Sequence, residues 1–297
     1  MTDPSTEPTT EPSTEPTTEP STDARSATGG GSSTRPHPHL LVTREGPVLT
    51  VTLDNEARRN AQLPSLWLAL AEVAASLDQA VRVVVLAARG PSFSAGLDLS
   101  VVAGDPAKAP HGEPDLFEIA ARGVEEAADV IAGFQRGFTA WAEADAVVVA
   151  AVQGHAIGAG FQLALAADLR VVADDVQLAM RETSLGLVPD LGGTQPLVSL
   201  VGPARALEIC ATGRFVGAQE AVATGLANVA VPRDELEATT ADLVAALLAA
   251  PDASLRALKP LLRSAGPAGR EDQLRSERET QAVLLRGLGE ARAAGRR

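Results

Sequence analysis

The sequence predicts an α/β fold, because apolar runs rich in β-branched residues alternate with segments of helical spacing. Residues 48–53 alternate apolar and polar side chains with a period of two, as a half-buried strand does. Residues 64–77 begin with a proline and then place apolar side chains at helical spacing, which predicts a helix. Buried strands are predicted at residues 83–86, 147–152 and 169–172.

The pattern becomes helical toward the carboxyl end of the chain. Helices are predicted at residues 203–211, 234–249, 254–263 and 271–293. We therefore divide the chain into an α/β core over residues 40–232 and a C-terminal helical region over residues 233–297.

The first 39 residues have a different composition from the rest of the chain. The octapeptide PSTEPTTE occupies residues 4–11 and recurs unchanged at 12–19. A segment with so few apolar side chains cannot bury enough surface to offset the entropy of ordering, which predicts a disordered tail over residues 1–39. The tail lacks the apolar centre of a secretory signal and the arginine-rich character of a transit peptide, so we expect a cytoplasmic protein.

Charge and cysteine content exclude several classes of function. The net charge of −13 argues against nonspecific binding to nucleic acid. Cys210 is the only cysteine, and the four histidines lack the spacing of metal ligands, so we expect no metal site. No apolar run reaches the length that spans a membrane.

A glycine-rich turn at residues 153–162, with the sequence QGHAIGAGFQ, follows an apolar strand and opens into an alanine-rich helix. The first N–H groups of a helix have no intrahelical acceptor and attract negative charge. The turn is therefore a candidate anion site. The alternative is that its glycines only make a tight turn and let the helix pack on the strand.

A second segment of this kind, PSFSAGLDL at residues 91–99, also follows a predicted strand directly. Two such junctions could place two backbone N–H groups around one oxygen atom. Three further segments are notable: NEARRNA at 55–61, GLVPDLGGTQ at 186–195, and GRF at 213–215 with AQEA at 218–221 and GLA at 225–227.

Together these five segments resemble the crotonase superfamily, the enoyl-CoA hydratase/isomerase family, over residues 40–262. The resemblance implies a spiral of repeated ββα units. It implies acyl-CoA thioester substrates, no separate cofactor, and assembly into homotrimers or hexamers through the C-terminal helices. Residues 101–113 are rich in proline, glycine and alanine, which predicts a mobile loop. The resemblance places this loop at the border of the acyl pocket.

The resemblance assigns the two oxyanion-stabilising donors to the backbone N–H groups of Leu97 and Ala159. Proton transfer falls to Glu182, which occupies the place of one of the two glutamates of hydratases. Gln162 occupies the place of the other, and an amide cannot act as a general base. Asp190 offers a further carboxylate, either catalytic or satisfying N–H groups of its own turn.

The resemblance also assigns contacts with coenzyme A, although each charged side chain among them could simply be solvated. The assigned residues are Arg58, Arg59, Ser94, Ala95, Asp98 and Lys259.

A single glutamate favours double-bond isomerisation over hydration, because one carboxylate can take a proton from one carbon and return it to another. One alternative is hydration, with Gln162 and Glu182 jointly holding a water molecule. A second alternative is an acyl-CoA-binding protein without turnover, since a fold does not guarantee a function.

Overall fold

The computed structural model describes residues 31–102, 112–266 and 268–295. Within these ranges the chain forms ten strands and ten α-helices. The strands are β1 (Ser32–His37), β2 (Leu40–Glu45), β3 (Val48–Leu53), β4 (Val83–Ala88), β5 (Val147–Val152), β6 (His155–Ile157), β7 (Leu169–Ala173), β8 (Gln177–Ala179), β9 (Val216–Gly217) and β10 (Val229–Val231).

The helices follow the strands along the chain as the alternating pattern predicts. They are α1 (Pro64–Ala75), α2 (Leu116–Ala121), α3 (Val124–Glu143), α4 (Ala159–Ala166), α5 (Thr194–Val201), α6 (Pro203–Thr212), α7 (Ala218–Ala223), α8 (Leu236–Ala249), α9 (Asp252–Ala265) and α10 (Arg270–Ala294). Short 3₁₀ helices lie at Glu56–Arg58, Leu99–Val102, Glu182–Leu185 and Arg233–Glu235.

Seven strands form one sheet in the order β1-β2-β3-β4-β5-β7-β10. The pairs β1-β2 and β2-β3 are antiparallel, and every later pair in this sheet is parallel. A smaller sheet has the order β6-β8-β9. All six residues of β5 are buried, because helices cover both faces of the parallel part of the sheet.

Two apolar clusters hold these layers together. On one face, side chains of α1, α3 and α4 pack with the large sheet around fully buried Trp141 and Phe161. On the other face, valines of β4, β5 and β7 pack with Leu236 and Val244 of α8 and Leu255 of α9. The C-terminal helices α8 and α9 therefore complete the core of this chain, while their predicted part in trimers or hexamers stays a prediction.

The predicted elements agree with the observed ones to within about two residues at most ends. The strands predicted at residues 48–53 and 147–152 are confirmed without change. The helix predicted at residues 64–77 ends at Ala75. The helix predicted at 234–249 is divided, since a 3₁₀ helix at Arg233–Glu235 precedes α8.

The predicted tail boundary at residue 39 is wrong. Strand β1 extends from Ser32 to His37, and its main chain pairs with β2. Its side chains are almost all exposed, so it lacks the apolar signal that marks the other strands. Main-chain pairing and the ion pair between Arg35 and Asp54, at 2.6 Å, hold it in place. Residues 1–30 lie outside the described part of the chain.

The predicted loop over residues 101–113 is corrected at its start. A 3₁₀ helix continues to Val102, because Val101 is fully buried and anchors it. Residues 103–111 lie outside the described ranges.

Strands β4 and β5 are parallel neighbours, so the loops that follow them leave the same edge of the sheet. These loops are residues 89–98, which include Leu97, and residues 153–158, which lead into Ala159 at the start of α4. The topology therefore brings them together.

Candidate active site

The first loop is held so that the N–H group of Leu97 is left without a protein acceptor. Gln62 forms a parallel bridge with Leu97: its N–H donates to Gly96 O at 2.7 Å, and its carbonyl accepts from Asp98 N at 2.8 Å. Both bonds go to the neighbours of Leu97, so the N–H group of Leu97 itself points away from Gln62. Among the described residues it has no acceptor.

The second loop ends in the first turn of α4. Gly158 has a φ of +51°, a region that favours glycine, and its N–H donates to Ala179 O at 2.8 Å. Ala159 is the first helical residue, where the N–H group has no intrahelical acceptor. No other acceptor for it lies within the described ranges.

The two loops are in direct contact. Ser94 and Ala156 form a parallel bridge, with Ile157 N donating to Ser94 O at 3.0 Å. A Cβ atom on Gly96 would lie 2.5 Å from Ile157 O and 3.8 Å from Ala159 N. Only glycine allows this approach, which brings the residue before Leu97 next to the start of α4.

The carboxylate of Glu182 lies next to the start of α4. A Cβ atom on Gly158 would lie 3.2 Å from Glu182 Oε1. Glu182 Oε1 accepts a hydrogen bond of 2.8 Å from Gln162 Nε2, whereas Glu182 Oε2 is buried and has no hydrogen-bond partner in the described part of the chain. A buried acceptor without a donor is rare in folded proteins, which makes this oxygen a candidate contact for a substrate.

Burial raises the pKa of the Glu182 carboxyl above its ordinary value of 4.5. The hydrogen bond from Gln162 lowers this pKa, and the negative charge of Asp190 raises it. A carboxylate with a raised pKa is a better proton acceptor than a solvated one. Its environment therefore suits Glu182 to acid–base chemistry.

The amide of Gln162 is oriented by the turn that follows the 3₁₀ helix of Glu182. Gln162 is 1% exposed, and its Oε1 accepts from Leu191 N at 2.9 Å and from Gly193 N at 3.2 Å. Because both of these groups are donors, the amide oxygen must face them and the NH₂ group must face Glu182. Gln162 therefore links this turn to the carboxylate.

Asp190 lies in the same turn and is exposed to solvent. Its carbonyl accepts from Gln135 Nε2 at 2.7 Å. Desolvation by the surrounding protein raises the pKa of its carboxyl above 3.8. Its charge reaches Glu182, so the structure places the two acids in one electrostatic environment.

The residues predicted to contact coenzyme A separate into an exposed and a buried group. Arg58 and Arg59 are exposed, and Arg58 Nη2 donates to Asp98 Oδ1 at 2.9 Å. Asp98 is buried and also accepts from Ser100 N and Oγ, so it orients Arg58 and does not face solvent. Ala95 is half-buried, and its carbonyl accepts no hydrogen bond from the described residues.

Two of these predictions need correction. Ser94 is fully buried, and its hydroxyl donates to a backbone carbonyl, so the side chain cannot face a ligand. Lys259 is also buried: its Nζ contacts Asp168 Oδ2 at 2.8 Å, Ala146 O at 2.9 Å and Trp141 O at 3.3 Å. Since three N–H donors meet three acceptors, the structure does not support Lys259 as a coenzyme A ligand.

Gln62 is a residue that the sequence motifs did not single out. It is a fully buried polar side chain between apolar Ala61 and Leu63. Buried polar atoms are almost always hydrogen-bonded. The signal in the sequence was therefore a polar glutamine between two apolar residues, directly after the 55–61 segment.

Over the described ranges, no group of three or more His, Cys, Asp or Glu side chains is placed to hold a metal ion. No helix in this part of the chain is long and apolar enough to cross a membrane.

Known proteins resemble this chain over most of its length. The family model for enoyl-CoA hydratase/isomerase matches residues 111–292. Carnitinyl-CoA dehydratase of Salmonella enteritidis PT4 is 35% identical over 228 residues, which cover 76% of this chain and 80% of that protein.

Solved structures cover a larger share of the chain than the family model does. A protein of Thermobifida fusca YX assigned as an enoyl-CoA hydratase is 46% identical, with a TM-score of 0.80 over 85% of this chain and 95% of that one. Its complex with acetoacetyl-CoA gives 47% identity and a TM-score of 0.79 over 84% and 95% of the two chains. The predicted crotonase fold is confirmed, and the chain belongs to the enoyl-CoA hydratase/isomerase family.

Proposed function

We propose that this chain is an acyl-CoA enzyme that forms a thioester enolate and moves one proton with Glu182. The observation that carries the proposal is the Glu182 carboxylate beside the proposed donors Leu97 and Ala159. One of its oxygens is bonded to Gln162, and the other is buried without a hydrogen-bond partner among the described residues. Two main-chain donors and one carboxylate are the groups that enolate chemistry needs.

The favoured reaction is migration of a double bond in a 3-enoyl thioester. Glu182 takes a proton from C2, and the electrons of that C–H bond move into the thioester, leaving the negative charge on its carbonyl oxygen. The N–H groups of Leu97 and Ala159 donate to this oxygen, each of them worth about 3–4 kcal/mol in the transition state. Glu182 then returns the proton to C4, which gives the conjugated 2-enoyl thioester.

Isomerisation is favoured over hydration because Gln162 has no free basic atom. Its amide oxygen accepts two backbone N–H groups, and its nitrogen donates to Glu182. Glu182 is then the base that the described contacts place beside the start of α4. One base suffices for moving a proton between two carbons.

Reversible hydration is the second candidate, because relatives of this chain are named hydratase and dehydratase. In this reaction Asp190 would supply the second acid, since its charge already acts on Glu182. A third candidate is binding without turnover. It also predicts affinity for thioesters but differs from the two reactions in predicting no product.

We also propose that the thioester is bound through its coenzyme A part. The support is the complex of the Thermobifida fusca relative with acetoacetyl-CoA. In this chain, exposed Arg58 and Arg59 would meet phosphates, with Asp98 orienting Arg58, and the open carbonyl of Ala95 would accept from the adenine amino group.

A substrate panel tests the reaction. Wild type and Glu182→Gln are offered 3-enoyl-, 2-enoyl- and 3-hydroxyacyl-CoA, and products are followed by mass and by the absorbance of the conjugated thioester. We expect conversion of 3-enoyl to 2-enoyl thioester without a change in mass, abolished by Glu182→Gln with the affinity for coenzyme A kept. Glu72→Gln, an exposed glutamate on α1, is the matched control.

Other outcomes select other functions. Gain or loss of the mass of water would favour the hydratase candidate. Tight binding without any product would overturn the enzyme proposal. Full activity of Glu182→Gln would remove this residue from the reaction.

A further inference from the structure

A fully buried polar network supports the loop that carries Leu97. Gln62 Nε2 donates to Ser94 Oγ at 3.0 Å, and Trp67 Nε1 donates to Gln62 Oε1 at 2.8 Å. An indole nitrogen can only donate, so the amide oxygen must face Trp67 and the amide nitrogen must face Ser94. The orientation of Gln62 is therefore fixed by its partners.

The hydroxyl group of Ser94 is the centre of this network. It accepts from Gln62 Nε2 and from Gly96 N, at 3.1 Å, and donates to Asn60 O at 2.7 Å. A hydroxyl group has one hydrogen to donate and two lone pairs, and all three are used here. The position of Gly96, and with it the peptide that carries the Leu97 N–H, is therefore tied to a side chain that cannot rotate without losing bonds.

The carbonyl of Asn60, which accepts a hydrogen bond from Ser94 Oγ, belongs to a strained segment. Arg59 and Asn60 both have positive φ, 50° and 54°, which is uncommon for residues other than glycine. The Asn60 side chain holds this conformation by donating to Arg89 O and Ser92 O, each at 2.8 Å. Such strain persists only where the surroundings impose it, and it is concentrated near functional sites.

The same serine also contacts the second loop through its main chain. Ser94 N donates to His155 O at 2.9 Å, and Ile157 N donates to Ser94 O. A Cβ atom on Gly160, in the first turn of α4, would lie 2.7 Å from Ser94 Cβ. Ser94 therefore fixes the first loop relative to the helix start that carries the second donor, Ala159.

We propose that Gln62 and Ser94 are positioning residues that set the separation and direction of the two oxyanion donors, Leu97 N–H and Ala159 N–H. Neither side chain touches the substrate, since both are 0% exposed. This inference rests on the proposed function, because it assumes that the two N–H groups act on a thioester oxygen. It adds that side chains distant from the substrate determine the strength of that interaction.

The test uses the full chain with Gln62→Met, which keeps the length of the side chain and removes its hydrogen bonds, and with Ser94→Ala. Thr240→Val is the matched control, because Thr240 is a buried hydroxyl in α8 that donates to Leu236 O. The probe is acetoacetyl-CoA, whose acidic C2 proton allows the bound thioester to form an enolate with its own absorbance band. Enolate absorbance, kcat, affinity for coenzyme A and the thermal midpoint are measured for each variant.

We expect both site variants to lose enolate absorbance and to lower kcat by about 10- to 100-fold, because small displacements of a donor weaken it strongly. Affinity for coenzyme A should stay as in wild type. Thr240→Val should lower the thermal midpoint and leave the enolate band and kcat unchanged. Two different site variants keep the test decisive if one of them does not fold.

The failures of this inference and of the proposed function are distinguishable. If wild type forms the enolate and both site variants form it equally well, Gln62 and Ser94 are only structural and the inference is overturned. If wild type binds acetoacetyl-CoA but forms no enolate, the oxyanion site itself is wrong and the proposed function falls with it.

Discussion

Gln162 donates its amide hydrogen to Glu182 Oε1 over 2.8 Å, while its own oxygen accepts the N–H groups of Leu191 and Gly193. The amide is thus a fixed connection between a glycine turn and the carboxylate. It engages one oxygen of Glu182, while the other, Oε2, has no hydrogen-bond partner among the residues that the structure describes. The carboxylate is oriented by this bond, and its open oxygen is the atom that can exchange a proton with a substrate.

Replacing Gln162 by glutamate should change both the pKa of Glu182 and the reaction. One new oxygen would still accept the two turn N–H groups, and the other would face Glu182 Oε1 in place of a donor. Two close carboxylates repel each other when both are ionised, so the pKa of one of them must rise. We expect the acid limb of kcat/KM to move to higher pH and water addition to 2-enoyl thioesters to increase.

The measurements for Gln162→Glu are a pH profile and a hydration assay. Gln195→Glu, at an exposed position in α5, adds the same charge away from the hydrogen bond between Gln162 and Glu182. It should leave the pH profile and the hydration rate unchanged. A Gln162→Glu profile identical to wild type would show that the two side chains are not coupled.

Asp190→Asn tests the electrostatic link between the two acids. The charge of Asp190 raises the pKa of Glu182, and a base must be ionised to act, so activity falls as the pH drops through that pKa. Removing the charge lowers the pKa, and the acid limb of kcat/KM should move to lower pH. Asp174→Asn, which removes an exposed charge elsewhere, should not move it.

The two roles of Asp190 give different rates at the plateau of that profile. A fall of about 100-fold or more in kcat would assign Asp190 a direct part in proton transfer. An unchanged plateau rate with a shifted acid limb would mean that Asp190 acts on the reaction only through its charge. No shift and no fall would make it a turn residue only.

Local sequence pattern predicted most of the fold, because strands such as β5 are apolar throughout and helices such as α1 begin with a proline. Strand β1 was missed because its stability comes from pairing with β2, and its exposed Ser and Thr side chains carry no periodic apolar signal. Pairing of this kind depends on distant residues, which a local window does not contain.

The main-chain part of the site was predictable, since glycines and a helix start mark the loops of Leu97 and Ala159. The side-chain part was less so. The orientation of Gln162 depends on backbone groups 29 and 31 residues away, and the burial of Lys259 depends on Asp168. Both are three-dimensional contacts between charged or polar groups with no fixed spacing, so the motif alone did not reveal the contact of Lys259 with Asp168.

Lys259→Met should lower stability and leave coenzyme A binding intact. The substitution leaves Asp168 and two carbonyls without their cation, and removing one partner of a largely buried ion pair costs about 2 kcal/mol or more. We expect a lower thermal midpoint and an unchanged Kd for coenzyme A. Arg59→Met should weaken coenzyme A binding and leave the thermal midpoint unchanged. If Lys259→Met weakened coenzyme A binding at an unchanged thermal midpoint, its role as a ligand would be restored.

A pair of glycine substitutions separates the close approach of the two loops from the ordinary cost of a side chain at positive φ. Gly96 and Gly46 have φ of +87° and +57°, and alanine at either position costs about 1–2 kcal/mol through its backbone. A Cβ atom on Gly46 meets nothing within 4 Å, whereas on Gly96 it would meet Ile157 O at 2.5 Å and push the loop of Leu97 away from Ala159. We therefore expect Gly46→Ala to lower the thermal midpoint only, and Gly96→Ala to lower kcat by about 100-fold as well. Turnover and thermal unfolding of both variants check this, and wild-type turnover by Gly96→Ala would mean that the spacing of the two N–H groups does not limit the reaction.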